Sequence, residues 1–415
     1  MTTTADERAR YFSRAAARSR RWPPAIWVAL GGSFLIRAAG FSYPFLAYHL
    51  AGLHFSARLT GAVLATFGVG WLLGQILAGW LADRIGRRTT LVSAMVTAAA
   101  TLALLAEVDS VPAVFAVSAL AGACYDSPRP VVSALIADTV PDEGGRAAVA
   151  GFRHFTTNVA AALTGALGGM LAGAIGVRAL IAINAAACLL FAVLALRYLD
   201  SGRPAPLPTT EHPPYRVALR DARLWVLWLA SIAALICVVG LFSTLPMLMS
   251  ARGLSATAYG WTQAANAAVV VLLAPVVTPW LSRRARRTGR PLLGPFAIGS
   301  LVLGAGMGAA GLATSTDGFA LAVALAVPGE LVVFIAANNV LNWITPGGAR
   351  GLYAGIWGTT LAGAVILAPL LGTWSLAHGG ARLVAVTTLA TGLVGAALCW
   401  PLRALIRRSP CSADS

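Results

Sequence analysis

The chain has 415 residues, 58% of them hydrophobic and only 11% charged, where an ordinary soluble domain holds about 25% charged residues. That composition, with a mean hydropathy of +0.76, excludes a soluble enzyme, a disordered tail protein and a secreted disulfide scaffold. The formal charge of +16 comes from 31 basic residues, all arginine, against 15 acids; they sit in short loops between apolar runs and not on one amphipathic face, which excludes nucleic acid as the partner.

About twenty apolar residues cross a bilayer, and runs of that length follow one another along the chain. Residues 1–24 form a basic tail, and no small-residue cleavage site follows the next apolar run, so the tail reads as a retained cytoplasmic segment. Spans are expected at 25–50, 60–81, 89–106, 111–139, 148–175 and 178–198. A polar connector at 200–222 then interrupts the series, and its prolines argue against a helix there. Spans resume at 223–249, 257–282, 292–314, 318–345, 352–377 and 382–405, before a short tail at 406–415. The runs are continuously apolar, without the ten-residue alternation of a membrane barrel. The expected fold is therefore all-α: twelve transmembrane helices in two bundles, 25–199 and 223–405. Cys124, Cys188, Cys237, Cys399 and Cys411 include no CxxC pair, so neither a disulfide nor a zinc site is expected.

Arginine sets the orientation. With the first tail inside, 24 arginines fall on the cytoplasmic side and four (Arg58, Arg178, Arg252, Arg382) outside. The other three, Arg37, Arg129 and Arg153, lie within spans. Both termini and the connector should be cytoplasmic.

The two halves echo each other. Gly79-Trp80-Leu81-Ala82-Asp83-Arg84 aligns with Pro279-Trp280-Leu281-Ser282-Arg283-Arg284 at an offset of 200. After the fourth span, Pro141, Arg146 and Gly151 match Pro346, Arg350 and Gly355 after the tenth. Duplicated halves are the architecture of many secondary transporters.

The loop after the second span reads Gly79-Trp80-Leu81-Ala82-Asp83-Arg84-Ile85-Gly86-Arg87-Arg88-Thr89-Thr90-Leu91. It resembles motif A of the major facilitator superfamily, GxLaDrxGrrxxl. Gly79 would let its helix pack closely on a neighbour, and Asp83 would face the positive N-terminal end of another helix. Gly86 permits a tight turn, while Arg84, Arg87 and Arg88 stay at the cytoplasmic interface. Ala137-Asp138-Thr139-Val140-Pro141-Asp142-Glu143 and Arg146 resemble a segment of the drug:proton antiporters of that superfamily. The resemblance implies that Asp138 pairs with Arg87 in the outward-open state. Pro328-Gly329-Glu330, Arg350-Gly351-x-Tyr353-x-Gly355, Gly253-Leu254-Ser255 and Asn266 are similar to the same group. One segment departs from it. The fifth span keeps Gly168-Gly169 but has Thr164-Gly165 where antiporters carry Gly-Pro, which weakens the implication of export.

Charge within a bilayer costs at least ~2.5 kcal/mol per group, so each needs a partner or water. Arg37, Asp126 and Glu330 fall near mid-depth, with Arg129 and Arg153 nearer the cytoplasm. In the superfamily fold the first, fourth, seventh and tenth helices line the central cavity, so these groups would face it. They serve either as an ion pair locking the halves or in binding substrate and protons. A desolvated carboxylate takes a proton more readily than one in water. Arg129 should keep Asp126 ionised, which makes Glu330 the first candidate for proton carrier. His154 is either a satisfied polar contact or a relay. Asn158, Gln263, Asn266, Asn338 and Asn339 suit interhelical hydrogen bonds or substrate contacts, and the aromatics Phe41, Tyr43, Phe45, Tyr48, Trp261 and Trp357 suit interface anchoring or stacking. The Pro128-Arg129-Pro130 step should kink the fourth span.

No hydrolase triad, P-loop or metal cluster is present in the sequence, so neither an enzyme nor a cofactor is expected and an ion gradient is the energy source. The expected partners are a small-molecule substrate, protons and the lipid bilayer, for a monomer in a bacterial inner or plasma membrane. The first reading is proton-coupled efflux of a small, fairly apolar compound. Uptake or facilitated diffusion of a metabolite is the second, and a non-transporting sensor or scaffold the third. The chain lacks the PESPR-like and PETKG-like segments of sugar porters.

Overall fold

A computed structural model describes residues 22–140, 143–200, 215–346 and 349–408, and leaves the side chains of His154, Asn158 and Arg350 outside the description. The N-terminal tail, most of the connector and Cys411 also lie outside the described residues. The described residues form helices without strands, and these helices make up twelve segments of span length.

The first span is two helices, Pro24–Ala38 and Ser42–Gly52. The second is Ala57–Ile85 and the third Arg87–Glu107. The fourth is again broken, into Val111–Tyr125 and Pro128–Thr139. The helix Glu143–Tyr198 holds the fifth and sixth spans, divided at Gly176 with φ 82°. In the second half, Ala222–Gly240 and Thr244–Ala251 make a broken seventh span. Ala256–Thr288, Leu293–Leu312 and Thr316–Ile344 are the eighth to tenth. Arg350–Ala397, turning at Gly380 with φ 61°, provides the eleventh and most of the twelfth, which Cys399–Arg408 completes. The expectation that prolines keep the connector from helix needs a correction: just past Pro214 the chain forms the helix Tyr215–Arg220. Pro restrains the residue before it, not the chain after it.

Local chemistry explains the ends. Ser56, Ser255 and Ser315 each accept an N–H three residues on, at 3.2–3.3 Å, to cap the second, eighth and tenth spans. The restart at Ser42 is fixed by Asn184 of the sixth span, whose Oδ1 accepts from the Ser42 hydroxyl at 2.7 Å and its N–H at 3.3 Å. Pro128 starts the lower half of the fourth span, and the helix breaks before it at Asp126-Ser127.

The duplication extends to detail. The turns entering the second and eighth spans are the same: Phe55 N–H donates to Leu50, and Leu254 N–H to Met249, both at 3.0 Å. The left-handed position is His54 (φ 61°) in one and Gly253 (φ 74°) in the other. Arg84 lies 4.2 Å over the Trp80 ring, as Arg284 lies 5.7 Å over Trp280. Where Gly86 (φ 90°) ends the second span, the eighth runs one turn further, to Gly289 (φ 54°).

The halves meet through the second span on the eleventh and the fifth on the eighth. Gly61 packs on Thr373, Gly68 on Val365, Gly165 on Gln263, Gly173 on Thr257, and Gly169 on Gly260. These contacts lie in the middle and in the end remote from the motif A loop. Nearer the basic end that carries this loop, Ile76 and Trp80 (63% and 48% exposed) and their counterparts Val276 and Trp280 (63% and 52%) are uncovered.

Candidate functional site

The break in the fourth span places Asp126 at a helix end, so its carboxylate meets side chains from other spans. Oδ2 accepts from Trp71 Nε1 at 3.0 Å and Gln75 Nε2 at 3.2 Å, both on the second span. It also pairs with Arg129 Nε at 2.9 Å. One oxygen thus serves three donors. Arg129 lies one turn on with its side chain 47% exposed, and Arg153 of the fifth span donates to Ser133 Oγ at 2.9 Å.

Tyr125 joins this group to the first span. Its hydroxyl donates to the Gly40 carbonyl at 3.2 Å and lies within reach of the Arg37 guanidinium. Around it Tyr43, Phe67 and Trp71 form a buried aromatic set, with ring centroids 5.2–6.4 Å apart. The carbonyls that the first-span break frees are not left bare: the Thr164 hydroxyl of the fifth span reaches those of Arg37 and Ala38. Arg37 is also in electrostatic reach of Glu330 on the tenth span. Glu330 Oε2 is buried without a hydrogen-bond partner among the described residues. The structure therefore brings Arg37, Asp126, Arg129, Arg153 and Glu330 into one connected set, drawn from the first, fourth, fifth and tenth spans.

Asn338 stands apart from it. Its side chain is exposed and donates to the Phe334 carbonyl of its own helix at 2.9 Å. Asn339 instead caps the ninth span, accepting Leu292 N–H at 3.0 Å. Gln263 donates to the Leu241 carbonyl, freed by the break in the seventh span, at 3.1 Å. His154 and Asn158 lie outside the described side chains. Trp71 and Gln75 went unremarked in the sequence, although a Gln in an apolar span was a usable signal.

At the basic end Arg87 is the hub. Its Nε lies 3.0 Å from Asp138 Oδ2 of the fourth span, and its Nη1 pairs with Asp83 across the Gly86 turn. The Arg87 side chain is 10% exposed, Asp138 29% and Asp83 73%. Arg88 donates to the Leu196 carbonyl of the sixth span at 2.6 Å. Asp83 is mostly exposed and pairs with Arg87, the first residue of the third-span helix. One expectation for this loop needs correction. Nothing lies within 4 Å of a side chain placed at Gly79; the close approach occurs one and two turns earlier, where Gly74 and Gly70 pack on the Ala123 and Ala119 backbone. The Arg87–Asp138 pair is made while the halves meet at the far end, and it ties together spans of one half only.

Duplicated six-span halves, a glycine turn between Asp83 and Arg87, and mid-depth charges drawn from both halves are joined by a match of residues 26–327 to the sequence model of the Major Facilitator Superfamily. The chain belongs to the Major Facilitator Superfamily. It is a multi-pass membrane protein and a secondary transporter, not an enzyme. It is 22% identical over 381 residues to an uncharacterized MFS-type transporter, YttB, of Bacillus subtilis (strain 168), spanning 90% of this chain and 94% of that one. It is 24% identical over 368 residues to a Na(+), Li(+), K(+)/H(+) antiporter of Planococcus maritimus, spanning 80% and 85%. Solved structures share the fold at low identity. A peptide transporter POT in complex with sulfate has a TM-score of 0.74 at 17% identity, over 93% of this chain and 95% of that one. The nucleoside transporter NupG has 0.70 at 14%, over 92% and 99%.

Proposed function

We propose that this superfamily member is proton-coupled and exports a small, fairly apolar organic compound, acting as a monomer in the plasma membrane with both chain ends in the cytoplasm. The observation that supports coupling is Glu330, whose Oε2 is buried without a hydrogen-bond partner among the described residues and which lies in the field of Arg37 on the opposite half. An acid that is costly to ionise when alone and stabilised when paired can change its proton as the halves move. Asp126 suits the carrier role less, because three donors already hold its charge. The antiporter named among the relatives supports exchange. Three arginines among these charges argue against an inorganic cation as the solute.

Uptake is the second reading. It is favoured by Thr164-Gly165, where an antiporter Gly-Pro is missing and a hydroxyl is bonded to the first span instead. Everted vesicles with an acid-inside gradient and a proton-sensitive dye separate the two. Collapse of the gradient on adding a transported compound supports export by exchange; compound-driven entry of protons into right-side-out vesicles supports uptake.

A further inference from the structure

Away from these charges, the basic end of the second half contains a cavity of about 370 Å³. It lies between the short helix Tyr215–Arg220, the start of the seventh span, the tenth–eleventh turn at Pro346 and the last helix, with Leu405 in its wall. Arg220, Arg223 and Arg408 line it, with Asp221 as the acid. That acid is already engaged: it holds Arg223 through both carboxylate oxygens at 2.9 Å, caps the seventh span by accepting Arg223 N–H at 2.9 Å, and accepts the Tyr353 hydroxyl at 2.8 Å. Arg220 and Arg408 come from opposite ends of the second half and bring two positive charges to the opening that Asp221 does not offset.

The surroundings set the depth. Val217 and Leu219 are 43% and 52% exposed on the short helix, whose last turn is held by Trp225 Nε1 donating to the Leu219 carbonyl at 2.9 Å. Trp225 is partly exposed and Trp400, on the last helix, is 81% exposed. Exposed indoles beside arginines mark the bilayer interface, where ring and headgroup share one level. Basic pockets between spans at that level recognise anionic headgroups.

We propose that this cavity binds the headgroup of an anionic phospholipid, its phosphate held between Arg220 and Arg408 and its acyl chains leaving past Val217, which is exposed in the cavity wall. A bound lipid then ties the end of the connector to the last helix, two segments with no direct bond between Arg220 and Arg408 among the described residues. A free phosphate has the same headgroup chemistry, but it gains nothing from the apolar flank.

The test is thermal unfolding of the purified full chain in bicelles of phosphatidylcholine alone and with one fifth phosphatidylglycerol, beside a sample in phosphatidylcholine with millimolar inorganic phosphate. The melting midpoint should rise with phosphatidylglycerol and not with phosphate. In the variant R220Q/R408Q the rise should fall by at least half, whereas R283Q/R287Q, the same charge loss elsewhere at the basic end, should keep it. Should R220Q/R408Q fail to fold, R408Q alone must show a smaller rise than R283Q. An equal effect of both lipids, an undiminished rise in R220Q/R408Q, or a matching rise with phosphate overturns the proposal.

Discussion

Gly169 and Gly260 meet backbone to backbone across the two halves: a Cβ on Gly169 would stand 2.2 Å from the Gly260 Cα. No side chain can be placed there without moving a helix, and helices in a membrane come together through such small residues. The fifth and eighth spans therefore close the end remote from the basic loop only while both positions stay glycine. Gly169→Val should hold that end apart. Spin labels at Arg58→Cys and Arg382→Cys, exposed on that end of opposite halves, should give a longer mean distance in the variant. An unchanged distribution would show that the contact does not limit closure.

The Arg87 hub calls for an unequal response of its two acids. Asp138, its side chain 29% exposed, bonds Nε of the covered Arg87, whereas Asp83 is mostly in water, where an exposed ion pair is worth about 0.2–1 kcal/mol. Asp138→Asn should cost about 1–3 kcal/mol, as for a covered charge deprived of its partner, and lower transport at least tenfold at equal membrane expression. Asp83→Asn should lose transport without a comparable fall in melting midpoint, if its part is in the motion and not in the resting fold. Equal stability losses in the two variants would contradict the burial argument.

Asp221 joins the seventh and eleventh spans through Tyr353. Burial works to raise this carboxyl, but the hydrogen bonds from Arg223 and Tyr353 outweigh it and hold its pKa below the ordinary carboxylate value. The sign follows: a lowered folded pKa gives stability that is whole above about pH 3.9 and is lost as the pH falls through the folded value. Tyr353→Phe should remove about 1.5 kcal/mol at neutral pH, as for a bond to a charged group. The gap between wild type and variant should narrow on acidification below pH 4 in thermal melts. A gap independent of pH would place the effect in packing.

Much of the fold was legible because bilayer physics leaves few choices. Continuous apolar runs of span length, broken by arginine loops, gave twelve crossings and the point of duplication. Finer features were hidden for identifiable reasons. The turns at His54 and Gly253 are one structure, but a histidine in a left-handed position gives no signal beside a glycine. Gly79 was expected to make a close contact that Gly70 and Gly74 make instead, since a motif names residues and not the face each presents. Asp126 was visible as a mid-depth acid. Its donors Trp71 and Gln75 lie 55 and 51 positions earlier, and only packing of the second span on the fourth brings them together.

Orientation is open to direct labelling. The arginine bias predicts that the basic end faces the cytoplasm. In a variant with Cys411→Ser, a cysteine at the exposed position Arg216 should react with an impermeant maleimide only after permeabilisation, and one at the exposed Asp109 should react in intact cells. The remaining cysteines are buried apart from Cys124, which is partly covered. Labelling of the Arg216 site in intact cells would invert the topology.

Glu330 and Asp126 occupy matching places in the two halves, but the structure treats them differently. The fourth span breaks at Asp126, which frees its carboxylate to gather Trp71, Gln75 and Arg129. The tenth span runs unbroken through Glu330, whose Oε2 finds no donor among the described residues and which lies in the field of Arg37 on the other half. A carboxylate bonded to three donors keeps its surroundings, while Glu330, in the field of Arg37 across the interface, changes its environment whenever the halves move. Glu330→Gln should therefore abolish uphill, proton-driven movement while exchange of labelled for unlabelled compound persists. Asp126→Asn should instead weaken the fold, because Arg129 and the Trp71 and Gln75 donors lose the charge they share. If Glu330→Gln keeps uphill transport with an unaltered pH profile, Glu330 is structural and the proton crosses elsewhere.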